Sequence, residues 1–150
     1  MSEENVLEGT FLGEMSPRVQ EKLLALAQSF FFKPEETVFH EGSPSLYFYI
    51  VRSGRVSVTI HIPSKGRRRI LTAGPGEVVS WSALVQPCVH HASATALEAT
   101  ELLSFPGDVL SAVCAEDYQL GYELHKALAE IVSTRLTATR LQMLDVFATP

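Results

Sequence analysis

The chain has 150 residues, 46% hydrophobic and 19% charged, with 9 Gly and 8 Pro; a chain of this length buries about 70% of its unfolded surface around one core, and this composition excludes a disordered tail, a collagen-like repeat and a low-complexity linker. Lys and Arg number 12 against 17 Asp and Glu, a formal charge of -5, which speaks against a protein that holds nucleic acid through a net basic surface. Cys88 and Cys114 form no spaced pairs, the start MSEENVLEGT is acidic, and no run of about 18 apolar residues occurs; these features predict a chain of the reducing cytoplasm, without disulfide framework, export signal or membrane anchor.

Residues 1–15 read as a leader, polar over about its first ten positions. Val19, Leu23, Leu26, Ala27 and Phe30 then recur at helical spacing and predict an N-terminal helix over 16–32, with Ser16 as its cap and Pro17 in the first helical position. Lys33-Pro34 ends it, because proline lacks an N–H and restricts the residue before it. Over 36–104 the chain changes to short segments rich in Val, Ile, Tyr, Phe and Thr. They are separated by Glu41-Gly42-Ser43-Pro44, Ser53-Gly54, Pro63-Ser64-Lys65-Gly66 and Gly74-Pro75-Gly76, the spacing of a β-sandwich or roll. From Arg55 to Ile62, Val and Ile alternate with polar residues, so the sheet is expected to be antiparallel with one face buried and one wet. Residues 107–147 are expected to be helical: a short helix from Gly107 to Cys114 and a long one from Tyr118 to Phe147, about 45 Å if unbroken. Leu124, Leu128, Ile131 and Leu136 give the long helix one stripe that suits the sheet; Leu141, Leu144 and Phe147 continue on a shifted stripe. That second stripe either folds back on its own domain or forms the helix-to-helix seam of a symmetric dimer, and the excess apolar surface favours the dimer.

The segments Val38-Phe39-His40-Glu41-Gly42-Ser43-Pro44 and Phe48-Tyr49-Ile50-Val51-Arg52-Ser53-Gly54-Arg55-Val56 resemble the first half of the cyclic nucleotide-binding domain. In that family a strand ends at a Gly turn and a four-residue apolar strand leads into a second one. Gly74-Pro75-Gly76-Glu77-Val78-Val79-Ser80-Trp81-Ser82-Ala83-Leu84 resembles the start of the family's phosphate-binding cassette, and Ala92-Ser93-Ala94-Thr95-Ala96-Leu97-Glu98 the strand that follows it. The resemblance runs from about Pro17 to Phe147. It implies a mainly β fold, an eight-stranded antiparallel β-roll (jelly roll) with an N-terminal helix and a long C-terminal helix acting as lid or dimer seam through Leu141, Leu144 and Phe147. The catabolite-activator branch is similar but carries a helix-turn-helix domain after its long helix. This chain stops at Pro150, so direct DNA binding is not expected, and the implied function is a stand-alone, ligand-sensing regulatory module.

A Gly-rich turn leading into a short helix aims backbone N–H groups at one point, where the helix dipole favours an anion. The candidate ligand contacts are Gly76, Glu77, Ser80, Trp81, Ser82, Ala83, His90, His91 and Ser93, with Ser80 suited to cap the helix and Ser82 and Ala83 to offer amides. The resemblance puts His90 at the family's phosphate-binding arginine, His91 at the following Ser/Thr, Trp81 at the ribose-binding glutamate and Ser80 at the glycine before it. A neutral His has no bidentate fork and Trp has no acceptor for a ribose hydroxyl, and each lost charge-assisted contact costs about 1.5–3 kcal/mol. The expected ligand is therefore a weakly bound cyclic nucleotide or another small anion, with no resident cofactor. If His90 does receive the anion, imidazolium is the pairing form and affinity rises as pH falls toward about 6.

Two other readings stand beside this one: a module of the same fold that contacts a protein partner without a ligand, and a haem- or metal-sensing variant using Cys88, His90 and His91. As strand residues His90 and His91 point to opposite faces, which defeats a cupin-type metal site. With no G-x-x-x-x-G-K-S/T loop, H-E-x-x-H helix or G-x-S-x-G elbow in the sequence, an enzyme is not expected. Trp81 is either a core or lid aromatic, or a residue that stacks on a base or plugs the pocket. Lys65-Gly66-Arg67-Arg68-Arg69 reads as a solvated hairpin tip, or a contact for an acidic partner; His40, His61 and His125 are isolated and take no role.

Overall fold

The computed structural model describes residues 10–148, the side chains of 145–148 excepted. Eight strands pair antiparallel in two sheets. One has the order β1 (Gln28–Phe32), β8 (Thr100–Pro106), β3 (Tyr47–Ser53), β6 (Val78–Ser80); the other has the order β2 (Thr37–Phe39), β7 (Ser93–Ala96), β4 (Val56–Ile62), β5 (Gly66–Ala73). Helices α1 (Pro17–Leu26), α2 (Gly107–Glu116) and α3 (Tyr118–Ala148) flank the roll, with short 3-10 turns at Leu12–Glu14 and Ser82–Leu84. The eight-stranded antiparallel roll with a long C-terminal helix is thus as expected.

The continuous apolar run in β3 follows from covering both of its faces. Phe48 and Ile50 pack toward the helices, with Leu12, Val19, Leu23, Phe105, Leu110, Leu120 and Leu124. Tyr49 and Val51 pack into the roll, with Phe39, Val56, Val58, Val79, Ala94 and Leu102. Burial on two faces replaces alternation by an unbroken apolar segment, and each large side chain removed from water contributes about 1.5–3 kcal/mol. The turn after β3 needs Gly54, whose φ is +93° and whose substituted Cβ would lie 2.4 Å from Thr100 Oγ1 and 2.6 Å from the Ala99 carbonyl oxygen.

Several boundaries differ from the sequence reading. The helix expected over 16–32 ends at Leu26, and Gln28–Phe32 is strand β1, paired along its length with β8. Its three phenylalanines alternate: Phe30 and Phe32 are half-buried while Phe31 is exposed, the period-2 signature that favours a strand for an aromatic run. Beyond the first ten positions of the leader, Phe11, Leu12 and Met15 are buried in the helix-side core; residues 1–9 lie outside the described part. Ser16 stands at the N-cap of α1, but its side chain makes no cap bond. Its N–H and hydroxyl donate instead to the Glu123 carboxylate, at 2.6 and 3.0 Å, and staple α1 to α3. In β4 the alternation breaks at Ser57, which is buried and accepts from Arg69 Nε at 3.0 Å.

At the start of α3, Asp117 accepts from Arg18 Nη1 at 2.8 Å, from Lys22 Nζ at 3.0 Å and from the Leu120 N–H at 3.1 Å. These bonds, Arg18's first, hold its carboxyl well below the usual carboxylate range. From there Leu120, Leu124 and Leu128 are buried on the roll, whereas Leu136, placed by the sequence on the same stripe, is 48% exposed. The helix moves away from the core as it passes the mouth of the roll.

Candidate functional site

The turn Gly74-Pro75-Gly76 feeds β6 at Val78, and β6 delivers Ser80 and Trp81 to the 3-10 turn Ser82–Leu84. Gly76 has φ +83°, and a Cβ there would lie 2.2 Å from Thr10 Cγ2, so the close approach of the N-terminal segment requires glycine. The turn is closed by Leu84 N–H to Trp81 O and Val85 N–H to Ser82 O, bonds that do not draw on the N–H groups of Ser82 and Ala83. Between this segment, the β4–β5 face and α3 lies a cavity of about 480 Å³. Its walls are apolar at Phe39, Val58, Leu71, Val79 and Ala92, with Ser80, Ser82, His90 and His91 on one side.

The structure brings together Glu77, Ser80, Trp81, Ser82, His90 and His91 from the candidate set, all of them at this cavity. Glu77 stands exposed at its rim, its carboxylate accepting from the Gly74 N–H at 3.3 Å. Ser80 ends a strand instead of capping a helix, and the N-cap position falls on Trp81, which makes no side-chain cap bond. Gly76 borders a neighbouring groove, with Thr10 and Glu14. Ala83 is buried against Gly107, where an added Cβ would come within 2.9 Å of the Ala83 methyl. Ser93 is occupied structurally, its hydroxyl accepting from the Glu41 N–H at 2.8 Å. Leu141 and Leu144 are 59% and 63% exposed, away from the cavity; the backbone of α3 continues through Phe147, whose side chain lies outside the described part. Lys65, Arg67, Arg68 and Arg69 form the exposed β4–β5 hairpin tip and its flank, as expected.

His90 and His91 do not alternate across a strand, because β7 begins only at Ser93; both line the same cavity, His90 buried and His91 exposed. The His90 ring lies flat on Phe39, with centroids 3.6 Å apart and an interplanar angle of 4°. Its Nδ1 is 3.3 Å from Ser80 Oγ, and its backbone exchanges bonds with the 42–43 turn, accepting from the Gly42 N–H and donating to the Ser43 carbonyl. Burial, with a smaller contribution from His91, pushes its pKa down to about 4. In the ligand-free chain burial therefore favours the uncharged ring at pH 6. Cys88 Sγ is engaged by the Ala83 carbonyl at 3.6 Å, and among the described residues no group of three His, Cys, Asp or Glu side chains gathers as a metal would need.

The sequence reading missed what α3 brings. Val132, Arg135, Leu136, Thr139 and Gln142 line the cavity from the helix side, a stripe at i, i+3, i+4, i+7 and i+10. The Arg135 guanidinium lies over the Trp81 ring, 4.9 Å from its centroid, and donates to the Val78 carbonyl. Burial lowers its pKa from the ordinary arginine value, against the attraction of Glu77.

The model of the cyclic nucleotide-binding domain matches residues 29–117, more than half of the chain. A "CRP-like cAMP-activated global transcriptional regulator" of Mycobacterium tuberculosis (strain ATCC 25618 / H37Rv) is 29% identical over 142 residues, covering 94% of this chain and 61% of the relative. Among solved structures, a cyclic nucleotide-binding domain from Methylobacillus flagellatus superposes with a TM-score of 0.85 at 22% identity, over 95% of this chain and 82% of that one. The Thermus thermophilus catabolite activator protein superposes with a TM-score of 0.76 at 24% identity, over 92% of this chain and 62% of that one. The chain therefore spans about three-fifths of the length of the curated relatives it matches. With the roll, the turn before β6 and the cavity under α3 in place, the family match decides the assignment: this chain belongs to the cyclic nucleotide-binding domain family.

Proposed function

We propose that this chain is a non-catalytic, ligand-sensing regulatory module whose cavity takes a small anionic ligand, cyclic nucleotides included, through contacts that depart from the family's. The observation that carries this reading is the cavity of about 480 Å³ enclosed jointly by the Ser80–Ser82 segment, His90, His91 and the face of α3. A site built from both the roll and the long helix couples occupancy to the position of that helix, which is what a sensor requires. The departures support weak binding of cyclic AMP and cyclic GMP: His90 is uncharged and stacked on Phe39, and Trp81 offers no carboxylate to a ribose hydroxyl.

The test is thermal unfolding against cyclic AMP, cyclic GMP and cyclic dinucleotides. A ligand at about 100 times its Kd adds roughly 2.7 kcal/mol of stability, so a millimolar ligand that fits raises Tm measurably. No stabilisation by any of them, together with no binding of other small anions, overturns the sensing reading in favour of a ligand-free protein-contact module.

A further inference from the structure

We infer that Arg135 of α3 is the residue that anchors the ligand's anionic group, so that this pocket selects small organic monoanions with a flat, apolar body and does not require a ribose. This deepens the sensing function proposed above and rests on it. Arg135 is the only lysine or arginine among the described residues that line the cavity. The ion pairs found among the described residues join Arg18 and Lys22 to Asp117, Arg52 to Glu101 and Arg55 to Glu98, and Arg135 belongs to none of them. Its two direct partners, the Val78 carbonyl and the π face of Trp81, are neutral. They fix the orientation of the guanidinium over the cavity; the one carboxylate that attracts it, Glu77, stands exposed at the rim and belongs to none of those ion pairs, which leaves the charge to be matched from inside. A half-buried cation with neutral partners gains most from an anion brought into the same low-dielectric space, and the planar fork of arginine suits a phosphodiester, sulfonate or carboxylate.

The rest of the wall says what the anion is attached to. Phe39, Val58, Leu71, Val79, Ala92 and Leu136 present apolar surface, and the exposed portion of Trp81 offers an aromatic face beside the cation. Such walls favour an aromatic body over a polar sugar. The charge that the cassette does not supply at His90 is therefore supplied from the helix.

The shape-matched dyes 8-anilinonaphthalene-1-sulfonate and N-phenyl-1-naphthylamine, which share one aromatic body and differ by the sulfonate, test this, followed by cyclic AMP against adenosine. Trp81, the chain's single tryptophan, reports occupancy at the site itself by energy transfer or quenching. The expected result is that Arg135→Gln weakens the sulfonate dye and cyclic AMP by about ten- to a hundred-fold and leaves the neutral dye unchanged. Arg135→Lys should recover part of the loss, and Arg69→Gln on the exposed hairpin should change nothing. Unaltered binding of the neutral dye shows that the Arg135→Gln pocket is intact. Equal affinity of the native chain and Arg135→Gln for the anions overturns the assignment to Arg135 while the sensing function stands. If no anion quenches Trp81 of the native chain at millimolar concentration, both fail.

Discussion

His90 gives the most direct physical test of the pocket as described. The ring is buried, lies 3.6 Å from Phe39 and has the Ser80 hydroxyl at 3.3 Å, so its immediate partners are neutral, while Arg135 of α3 and His91 line the same cavity. Its pKa is pushed down from 6.5 to about 4, and a depression of that size is worth roughly 3 kcal/mol. The sign follows from proton counting. Between pH 6.5 and pH 4 the unfolded chain binds a proton at this residue and the folded chain does not, so the contribution is fully present above pH 6.5 and is lost as pH falls to about 4. His90→Gln removes the titrating group and keeps a side chain able to bond Ser80. Denaturant unfolding of both proteins from pH 7.5 to pH 4 should show the native chain losing on the order of 2–3 kcal/mol more than the variant, with the divergence starting near pH 6.5. Parallel pH profiles, or an imidazole titrating near its ordinary value in the folded chain by NMR, would refute the neutral, stacked ring.

Two further outcomes are expected. Gly54→Ala, forcing a Cβ to 2.4 Å from Thr100 Oγ1 at a φ of +93°, should cost about 2 kcal/mol or more in thermal unfolding; a change in Tm within error would mean that the β3–β4 turn has another conformation. Leu141 and Leu144 are 59% and 63% exposed on α3, and we propose that this stripe forms a two-fold helix seam. Light scattering at micromolar concentration should then give a dimer that Leu141→Glu converts to a monomer, and a native chain that stays monomeric when concentrated removes the seam.

The parts of the fold legible in the sequence are those where a local pattern and the tertiary environment agree. The apolar run of β3, the Gly54 turn, the β4–β5 hairpin and the uninterrupted helix from Tyr118 are of this kind. The helix expected to reach Phe32 fails because Leu23, Leu26 and Phe30 fit a helical period while Phe30, Phe31 and Phe32 fit a period of two, and pairing with β8 decides for the strand. Phe11, Leu12 and Met15 were hidden in a short segment of polar neighbours, too brief to show any period, and only the helix-side core reveals their burial.

The site divides along the same line. Its Gly turn and the Ser80–Ser82 segment are contiguous, and the spacing of Gly74, Gly76 and Ser80 exposes them in the sequence. His90 and His91 are also contiguous, but their facing is not, because the chain between the Pro44–Val89 bridge and Ser93 is irregular and period-2 reasoning does not apply to it. Arg135 was out of reach for a different reason. In sequence it is one arginine on a helix with polar neighbours, and the bland reading is a solvated surface charge. What changes its meaning is the long-range placement of α3 across the mouth of the roll, which lays the guanidinium on Trp81 and against the Val78 carbonyl. Trp81 then acquires a use that neither stacking on a base nor plugging the pocket supplies: it is the platform that fixes a helix-borne cation at the cavity. Judged by its cassette alone, the pocket lacks its charge; judged by every element that lines it, the charge is present on the opposite wall. An assignment of loss of function that inspects only the cassette positions of such a pocket tests half of the site.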